Sequence, residues 1–271
     1  MTQAPIRVCI GTEPRTEIPR KVLEFSIQKH LGRGRSLELH PLAGGDWRGT
    51  GPLRQYTGFS LLRWTIPERF GHAGRAIYLD ADQLCLADLG ELWDTEAAED
   101  GTCVWCTRYE HRPRNGLFPF LRSRRVLPET SVMLVDCARA LGRLRAFERI
   151  RADLTRRPTQ ETYDEVMHLT YLEPEPGELS PWWNVMDGRG GSARRFLDER
   201  ARLLHFTRVR TQPWYRPDHP GRPVWERHLA EALDAGLVTR EEIDEACARF
   251  TLAGDRPDGM HPYWRSRFVS A

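Results

Sequence analysis

The sequence predicts an α/β layered fold, with helices over a mainly parallel sheet and a helical extension at the C-terminal end. Three observations predict it. From Ile6 to about Arg157, apolar runs of strand length alternate with stretches of helical spacing, the pattern that builds parallel sheets through crossover connections. One such run, Ala76-Ile77-Tyr78-Leu79, ends in Asp80, with Asp82 two residues on. In sheets of this kind ligands bind beyond the carboxyl ends of the strands. From Asp218 onward the texture changes to helices alone.

Taken in order, "IRVCIGT" is the first strand, and a loop with Glu13, Pro14 and Arg15 follows it. Val22, Leu23, Ser26 and Ile27 recur at helical spacing, which predicts a helix from about Pro19 to His30. "SLELHPL" is a second strand, and "GGDWRGTGPLRQYTGF" is loop. "FSLLRWTIPERF" reads as a helix stopped near Pro67, ahead of the strand Arg75–Leu79. "ADLGELW" makes a turn, "GTCVWCTR" a fourth strand and "TSVMLVDC" a fifth. "CARALGRLRAFERIRADLTRR" reads as one helix. Residues 1–218 form the main domain and 219–271 a helical extension, with "PVWERHLAEALDAG" as one helix and "TREEIDEACARF" as another. Thr239 and Glu242 open the latter in a capping-box pattern.

The 271 residues suffice for a large core. A net charge of +2 argues against a general nucleic-acid binder. All basic residues except Lys21 and Lys29 are arginines. No apolar run approaches the roughly 18 residues of a membrane span, and "MTQAPIRVCIGT" lacks the pattern of a secretory signal. The cysteines at 9, 85, 103, 106, 137 and 247 are scattered, so the expectation is a cytoplasmic protein without a disulfide framework. Cys103-Val104-Trp105-Cys106 has no second CxxC and reads as strand rather than as a redox or zinc motif.

Two readings fit the carboxylate pair by itself. Residues i and i+2 of an extended segment project to one side, so Asp80 and Asp82 can share a hard divalent cation whose shell is completed by water and phosphate oxygens. Alternatively Asp80 caps the following turn and Asp82 is solvated.

The surroundings carry a resemblance. "YLDADQLCLADLGELW" resembles the Asp-x-Asp signature of family 8 and related GT-A glycosyltransferases, and the other pieces follow in the same order. "IRVCIGTEPRTEIPRKVLEFSI" resembles their nucleotide-binding first strand and helix, "YTGFSLLRWTIPERF" the helix before the metal motif, and "TSVMLVDC" their N-S-G-V strand without its glycine. "YDEVMHLTYL" with "PWWNVMD" resembles the D-Q-D and W-N region, and "LLHFTRVRTQPW" the segment whose histidine is the third metal ligand. The resemblance spans about residues 6 to 214. It implies a GT-A, Rossmann-like α/β/α sandwich and transfer of a sugar from a nucleotide sugar, UDP-linked in that family, with retention of configuration. It implies Mn²⁺ or Mg²⁺ on Asp80, Asp82 and His205, and a donor held by Gly11, Thr12, Glu13, Arg15, Arg63, Asp80 and Ala81. Asp164, Glu165 and Asn184 fall near the donor sugar or acceptor, with Trp183 beside them. The family's diphosphate-contacting lysine is missing here. Gln212 precedes the proline, and Arg208 or Arg210 is left to supply the charge.

Three other functions compete. A sugar-phosphate nucleotidyltransferase calls for a Gly-rich basic loop after the first strand, and "GTEPRTEIPRK" has one glycine. A glycoside hydrolase would work without metal. A non-catalytic nucleotide-sugar-binding protein on a transferase scaffold fits the altered segment after His205. The acceptor is unspecified. The Arg-rich stretch 108–125 reads either as a solvated loop or as an acceptor lid. The tail "PYWRSRF" either touches lipid headgroups peripherally or packs on its own domain.

Overall fold

The computed structural model describes residues 4–44, 47, 49–53, 56, 59–96, 101–111, 125–188, 196, 198–252 and 257–270. Its strands are β1 (Ile6–Gly11), β2 (Leu37–Leu42), β3 (Arg75–Asp80), β4 (Gln83–Cys85), β5 (Val104–His111), β6 (Arg125–Asp136), β7 (Gly177–Glu178), β8 (Val185–Met186) and β9 (Leu203–His205). Its helices are α1 (Glu17–His30), α2 (Phe59–Leu62), α3 (Ile66–Arg69), α4 (Leu89–Trp93), α5 (Cys137–Ala140), α6 (Phe147–Arg156), α7 (Gln160–Met167), α8 (Arg222–Asp234), α9 (Arg240–Ala248) and α10 (Tyr263–Phe268).

The main sheet runs β2-β1-β3-β6-β5-β7. Pairings β1–β2, β1–β3 and β5–β7 are parallel, whereas β6 runs antiparallel to both its neighbours. Side chains alternate across it. Val8, Ile10, Ile77, Leu79, Val132 and Leu134 pack on one face with Leu23 and Ile27 of α1. Cys9, Tyr78, Met133 and Val135 pack on the other with Trp64, Ile150 and Val166. A small second sheet, β4-β9-β8, lies past the end of β3.

Two of the helices read from sequence are broken. The segment 59–70 is α2, a 3₁₀ turn Arg63–Thr65 and α3. Pro67 lies in the first turn of α3, where its missing N–H costs no hydrogen bond, so it opens a helix instead of ending one. Gly71, with φ 57°, turns the chain after it. The segment 137–157 divides into α5 and α6, with Gly142 at φ 74° between them, a left-handed conformation that suits glycine and interrupts the helix. Helix α7 over "QETYDEVM" and the short helix α4 within the "ADLGELW" turn were not among the helices the sequence reading marked out.

The C-terminal helices have the predicted capping box at Thr239–Glu242 and bury Trp225, Leu229, Ile243 and Trp264 in a cluster shared with Ile18 and Val22 of α1. Trp264 also donates its indole N–H to the Trp214 carbonyl at 3.2 Å, so the aromatic tail packs on its own chain. Among the described residues no helix is long and apolar enough to cross a membrane. Most of the Arg-rich stretch, residues 112–124, lies outside the described residues.

Candidate active site

The sheet ends explain how distant residues meet. Asp80 closes β3, Ala81 donates its backbone N–H to the Gly11 carbonyl at 3.0 Å, and β4 then pairs antiparallel with β9. In that register Gln83 lies opposite His205, and Phe206 N–H donates to the Asp82 carbonyl at 3.0 Å. Asp82 and His205 are therefore neighbours across two short strands. Among the described residues, Asp80, Asp82 and His205 form the one group of metal-ligand type, with one potential ligand atom from each all within 4.8 Å of one another.

Each member is held by a different partner. Tyr78 Oη donates to Asp80 Oδ1 at 2.5 Å and Arg63 Nη2 donates to the same oxygen at 3.1 Å, which leaves Oδ2 for a further partner. Tyr78 reaches this point because residue 11 is glycine. A Cβ there would lie 2.2 Å from the Tyr78 hydroxyl. Arg63 is itself buried and fixed, with Nη1 on the carbonyl and hydroxyl of Thr130 at 2.6 and 3.0 Å and Nε on the Ser60 carbonyl at 2.8 Å. Gln212 Nε2 donates to Asp82 Oδ2 at 2.9 Å and to the Phe206 carbonyl at 2.7 Å. His205 Nε2 faces Asp82 Oδ1 at 3.2 Å, while its Nδ1 lies 3.0 Å from Asn184 Oδ1. The Asn184 amide donates to Ser131 Oγ at 2.9 Å and Thr107 Oγ1 at 3.3 Å, so Oδ1 is its acceptor end and Nδ1 carries the imidazole proton. Nε2 is then the nitrogen that faces the carboxylates, where it donates to Asp82 when protonated and offers a lone pair to a cation when neutral.

The electrostatics match a site short of positive charge. Burial pushes the Asp80 carboxyl above its ordinary range, against the opposing pull of Arg63. Burial disfavours a charged His205, yet Asp82 and Asp80 raise its proton affinity overall. Burial also holds the Tyr78 phenol well above its usual range, which keeps the proton it donates. Two carboxylates and an imidazole form a mixed oxygen and nitrogen donor set suited to a divalent cation. A carbonyl behind the histidine is a common way of orienting a ligating imidazole. The residues fit a divalent cation.

A cleft of ≈ 160 Å³ opens beside this group, lined by Glu13, Arg15, Tyr56, Asp82, Gln212 and Tyr215 among others. Glu13 accepts from Arg15 Nε at 2.6 Å, and Thr12 Oγ1 lies 3.1 Å from Thr16 Oγ1. Arg208 and Arg210 are exposed on either side of Val209, which lines the cleft. Arg208 Nη2 donates to the Gly188 carbonyl at 3.3 Å. A larger crevice of ≈ 390 Å³ lies between the start of α1 and α9, and none of the three clustered side chains lines it.

Asp164 and Glu165 are not in the clustered group. Asp164 accepts from Gln160 at 2.6 Å, and Glu165 pairs with Arg145 at 2.5 Å. Sequence reasoning missed Tyr78, Gln212 as a partner of Asp82, Ser131 and Thr107. It also passed over Tyr56, stacked on Tyr163 with ring centroids 3.8 Å apart. Cys103 and Cys106 are buried, and burial pushes their thiols up to about 11 and about 12, which fits a structural strand.

No protein-family model matches the chain. Protein CDI of Arabidopsis thaliana is 24% identical over 222 residues, covering 78% of this chain and 80% of the relative. Among solved structures, the galactosyltransferase LgtC in complex with donor and acceptor sugar analogues superposes with a TM-score of 0.61 at 12% identity, over 83% of this chain and 96% of that one. The bifunctional glycosyltransferase WbbM gives 0.60 at 13% identity over 87% of this chain, which matches 51% of the WbbM chain, about half its length. The glycosyltransferase GlyE of Streptococcus pneumoniae TIGR4 gives 0.56 at 16% identity, over 86% of this chain and 63% of that one. The fold is the GT-A fold of these glycosyltransferases.

Proposed function

We propose that the chain is a metal-dependent glycosyltransferase that moves a sugar from a nucleotide sugar, UDP-linked by its resemblance to family 8, to an acceptor with retention. The observation that carries this reading is the Asp80–Asp82–His205 group at the carboxyl end of β3 in a GT-A fold, its three ligand atoms within 4.8 Å. Those three residues would hold Mn²⁺ or Mg²⁺. The bound ion supplies Lewis acidity toward a departing diphosphate.

The chain's own residues do the rest. Arg63 and Tyr78 fix Asp80, Gln212 fixes Asp82, and Asn184 fixes the tautomer and orientation of His205, so the group is organised before a ligand arrives. Glu13, Arg15, Tyr56 and Tyr215 offer hydrogen-bonding and aromatic surface for a nucleoside, Ala81 lines the same cleft, and Gly11 and Thr12 lead into it at the end of β1. Arg208 and Arg210 stand where exposed guanidinium groups can meet phosphate oxygens, a role their planar forks suit. Asp164 and Glu165, on α7, would act near the donor sugar or the acceptor, as the resemblance implies.

A thermal-shift panel of nucleotide sugars with and without Mn²⁺, followed by donor turnover, tests the reading. A ligand that binds the folded state raises its melting temperature. Stabilisation that needs both nucleotide and Mn²⁺, with turnover abolished by chelator, is the expected result. Asp82→Ala with unchanged metal-dependent turnover would sink the assignment. A second reading, a nucleotide-sugar-binding protein without turnover, is favoured by one observation: Gln212 stands in place of the family's lysine and faces Asp82. Binding without turnover across the panel would decide for it.

A further inference from the structure

The two-residue strand β8 is flanked by two polar side chains, and both reach across to the chain beside it. Parallel pairing sets Val185 beside Leu204 and Met186 beside His205, so the residues before and after β8 fall next to the chain on either side of His205. Asn184, before β8, holds the His205 ring. Asp187, after it, holds the next stretch of chain. Its Oδ1 accepts from the Thr207 backbone N–H at 3.0 Å and from the Thr207 hydroxyl at 2.8 Å. Its own backbone N–H donates to the His205 carbonyl at 3.1 Å.

The second carboxylate oxygen is held as firmly. Gly221 donates its backbone N–H to His219 Nδ1 at 3.0 Å, which puts the ring proton on Nε2, and Nε2 donates to Asp187 Oδ2 at 3.2 Å. The Asp187 and His219 side chains are 3% and 6% exposed, and the His219 ring stands edge-to-face with Phe196 and Phe206. A carboxylate buried this far with three donors is a fixed point, because losing any donor leaves a buried polar atom unpaired. Asp187 is not in the Asp80–Asp82–His205 group and does not line the cleft beside it. Its use lies in what Thr207 leads to.

Thr207 leads into one wall of the cleft, where Val209, Gln212 and Tyr215 are lining residues. Gln212 ties the far end of this segment to Asp82 and to the Phe206 carbonyl. The turn between, Val209–Thr211, buries none of its residues, so apolar packing does not fix its course and the two tied ends do. We infer that Asp187 is a positioning residue for the donor. By holding Thr207 it sets the course of the cleft wall, and keeps Arg208 and Arg210 beside the cleft before a nucleoside diphosphate arrives. It acts through Thr207 and touches no ligand itself. This assignment rests on the nucleotide-sugar reading above, and the test separates the two.

Calorimetry compares wild type, Asp187→Asn, Thr207→Val and Thr207→Ser, each checked for cooperative melting. The ligands are Mn²⁺ alone and, with Mn²⁺ present, the best-binding nucleoside diphosphate from a panel of UDP, GDP, ADP and dTDP. Asp187→Asn sets an amide donor against either the His219 or the Thr207 donors, whichever way it turns. Thr207→Val removes the hydroxyl at nearly constant shape, and Thr207→Ser keeps it. A wall that holds the binding course a tenth of the time binds about tenfold more weakly. The expected result is a loss of that order in diphosphate affinity for Asp187→Asn, and a smaller loss for Thr207→Val that Thr207→Ser recovers. Mn²⁺ affinity stays within about twofold of wild type throughout, because the three ligating side chains keep their own partners. If Asp187→Asn does not fold, the two Thr207 variants decide. Equal losses for Mn²⁺ and diphosphate, unchanged diphosphate affinity, or a Thr207→Ser protein as weak as Thr207→Val overturns the assignment of Asp187. A wild-type protein that binds no diphosphate of the panel overturns the donor reading, and this assignment with it.

Discussion

Asn184 Oδ1 lies 3.0 Å from His205 Nδ1, and the opposite nitrogen of the same ring lies 3.2 Å from Asp82 Oδ1. One amide thus decides which nitrogen carries the proton and which faces the carboxylates. Asn184→Ala removes that control. Loss of an orienting partner behind a ligating histidine costs about 10–100-fold in metal affinity, and a Mn²⁺ titration should show a loss of that order. Asn184→Asp keeps an acceptor for Nδ1 and should restore part of it.

Gln212, which precedes Pro213 where the resemblance implies a lysine, faces Asp82. Gln212→Ala leaves the Phe206 carbonyl and Asp82 Oδ2 each short of a donor. The expected cost is about 1–3 kcal/mol of stability, read by denaturant unfolding. Gln212→Lys should weaken Mn²⁺ binding instead of strengthening nucleotide binding, because an ammonium at this buried position pairs with Asp82. Tighter nucleotide binding by Gln212→Lys would show that the side chain points to phosphate after all.

Asp80, Asp82 and His205 are legible in the sequence because strand, carboxylate pair and downstream histidine each leave a local pattern. Their partners are not. Tyr78 reads as one more apolar strand residue, and only the β3 geometry sends its hydroxyl to Asp80. The α5–α6 break escapes the helical spacing because it rests on one glycine with a positive φ. The parallel half of the sheet follows from the strand–helix alternation, whereas the antiparallel placement of β6 between β3 and β5 is a tertiary choice.

Gly11→Ala tests the close approach of β1 to Tyr78. The added methyl would lie 2.2 Å from the phenol oxygen, so Tyr78 must move and release Asp80. Overpacking of this kind costs about 1–3 kcal/mol. Tyr78→Phe removes only the hydrogen bond, and should melt close to wild type while binding Mn²⁺ more weakly. A Gly11→Ala protein with unchanged melting would contradict the packing described here.

The ion pair of Lys21 with Glu242 joins α1 to α9. Burial works against a charged Glu242, but Lys21 and the Thr239 backbone N–H hold its carboxyl below the ordinary 4.5. A depressed carboxylate stabilises the fold above the unfolded value and loses that contribution as pH falls through the folded one. Glu242→Gln should therefore melt below wild type at pH 7, with the gap closing as pH falls below about 4.5. A gap that stays constant down to pH 3 would remove the pair from the account. Thr239→Ala should cost about 1 kcal/mol through loss of the cap, with nucleotide binding unchanged.

The most direct measurement is calorimetric titration of a nucleoside diphosphate into wild type and Asp82→Asn, with Mn²⁺ and then with excess chelator. The account predicts Mn²⁺-dependent binding to wild type, lost in chelator, and at least tenfold weaker in Asp82→Asn at equal melting temperature. Equal affinity in chelator, or an Asp82→Asn protein that binds like wild type, would contradict a cation held by Asp80, Asp82 and His205.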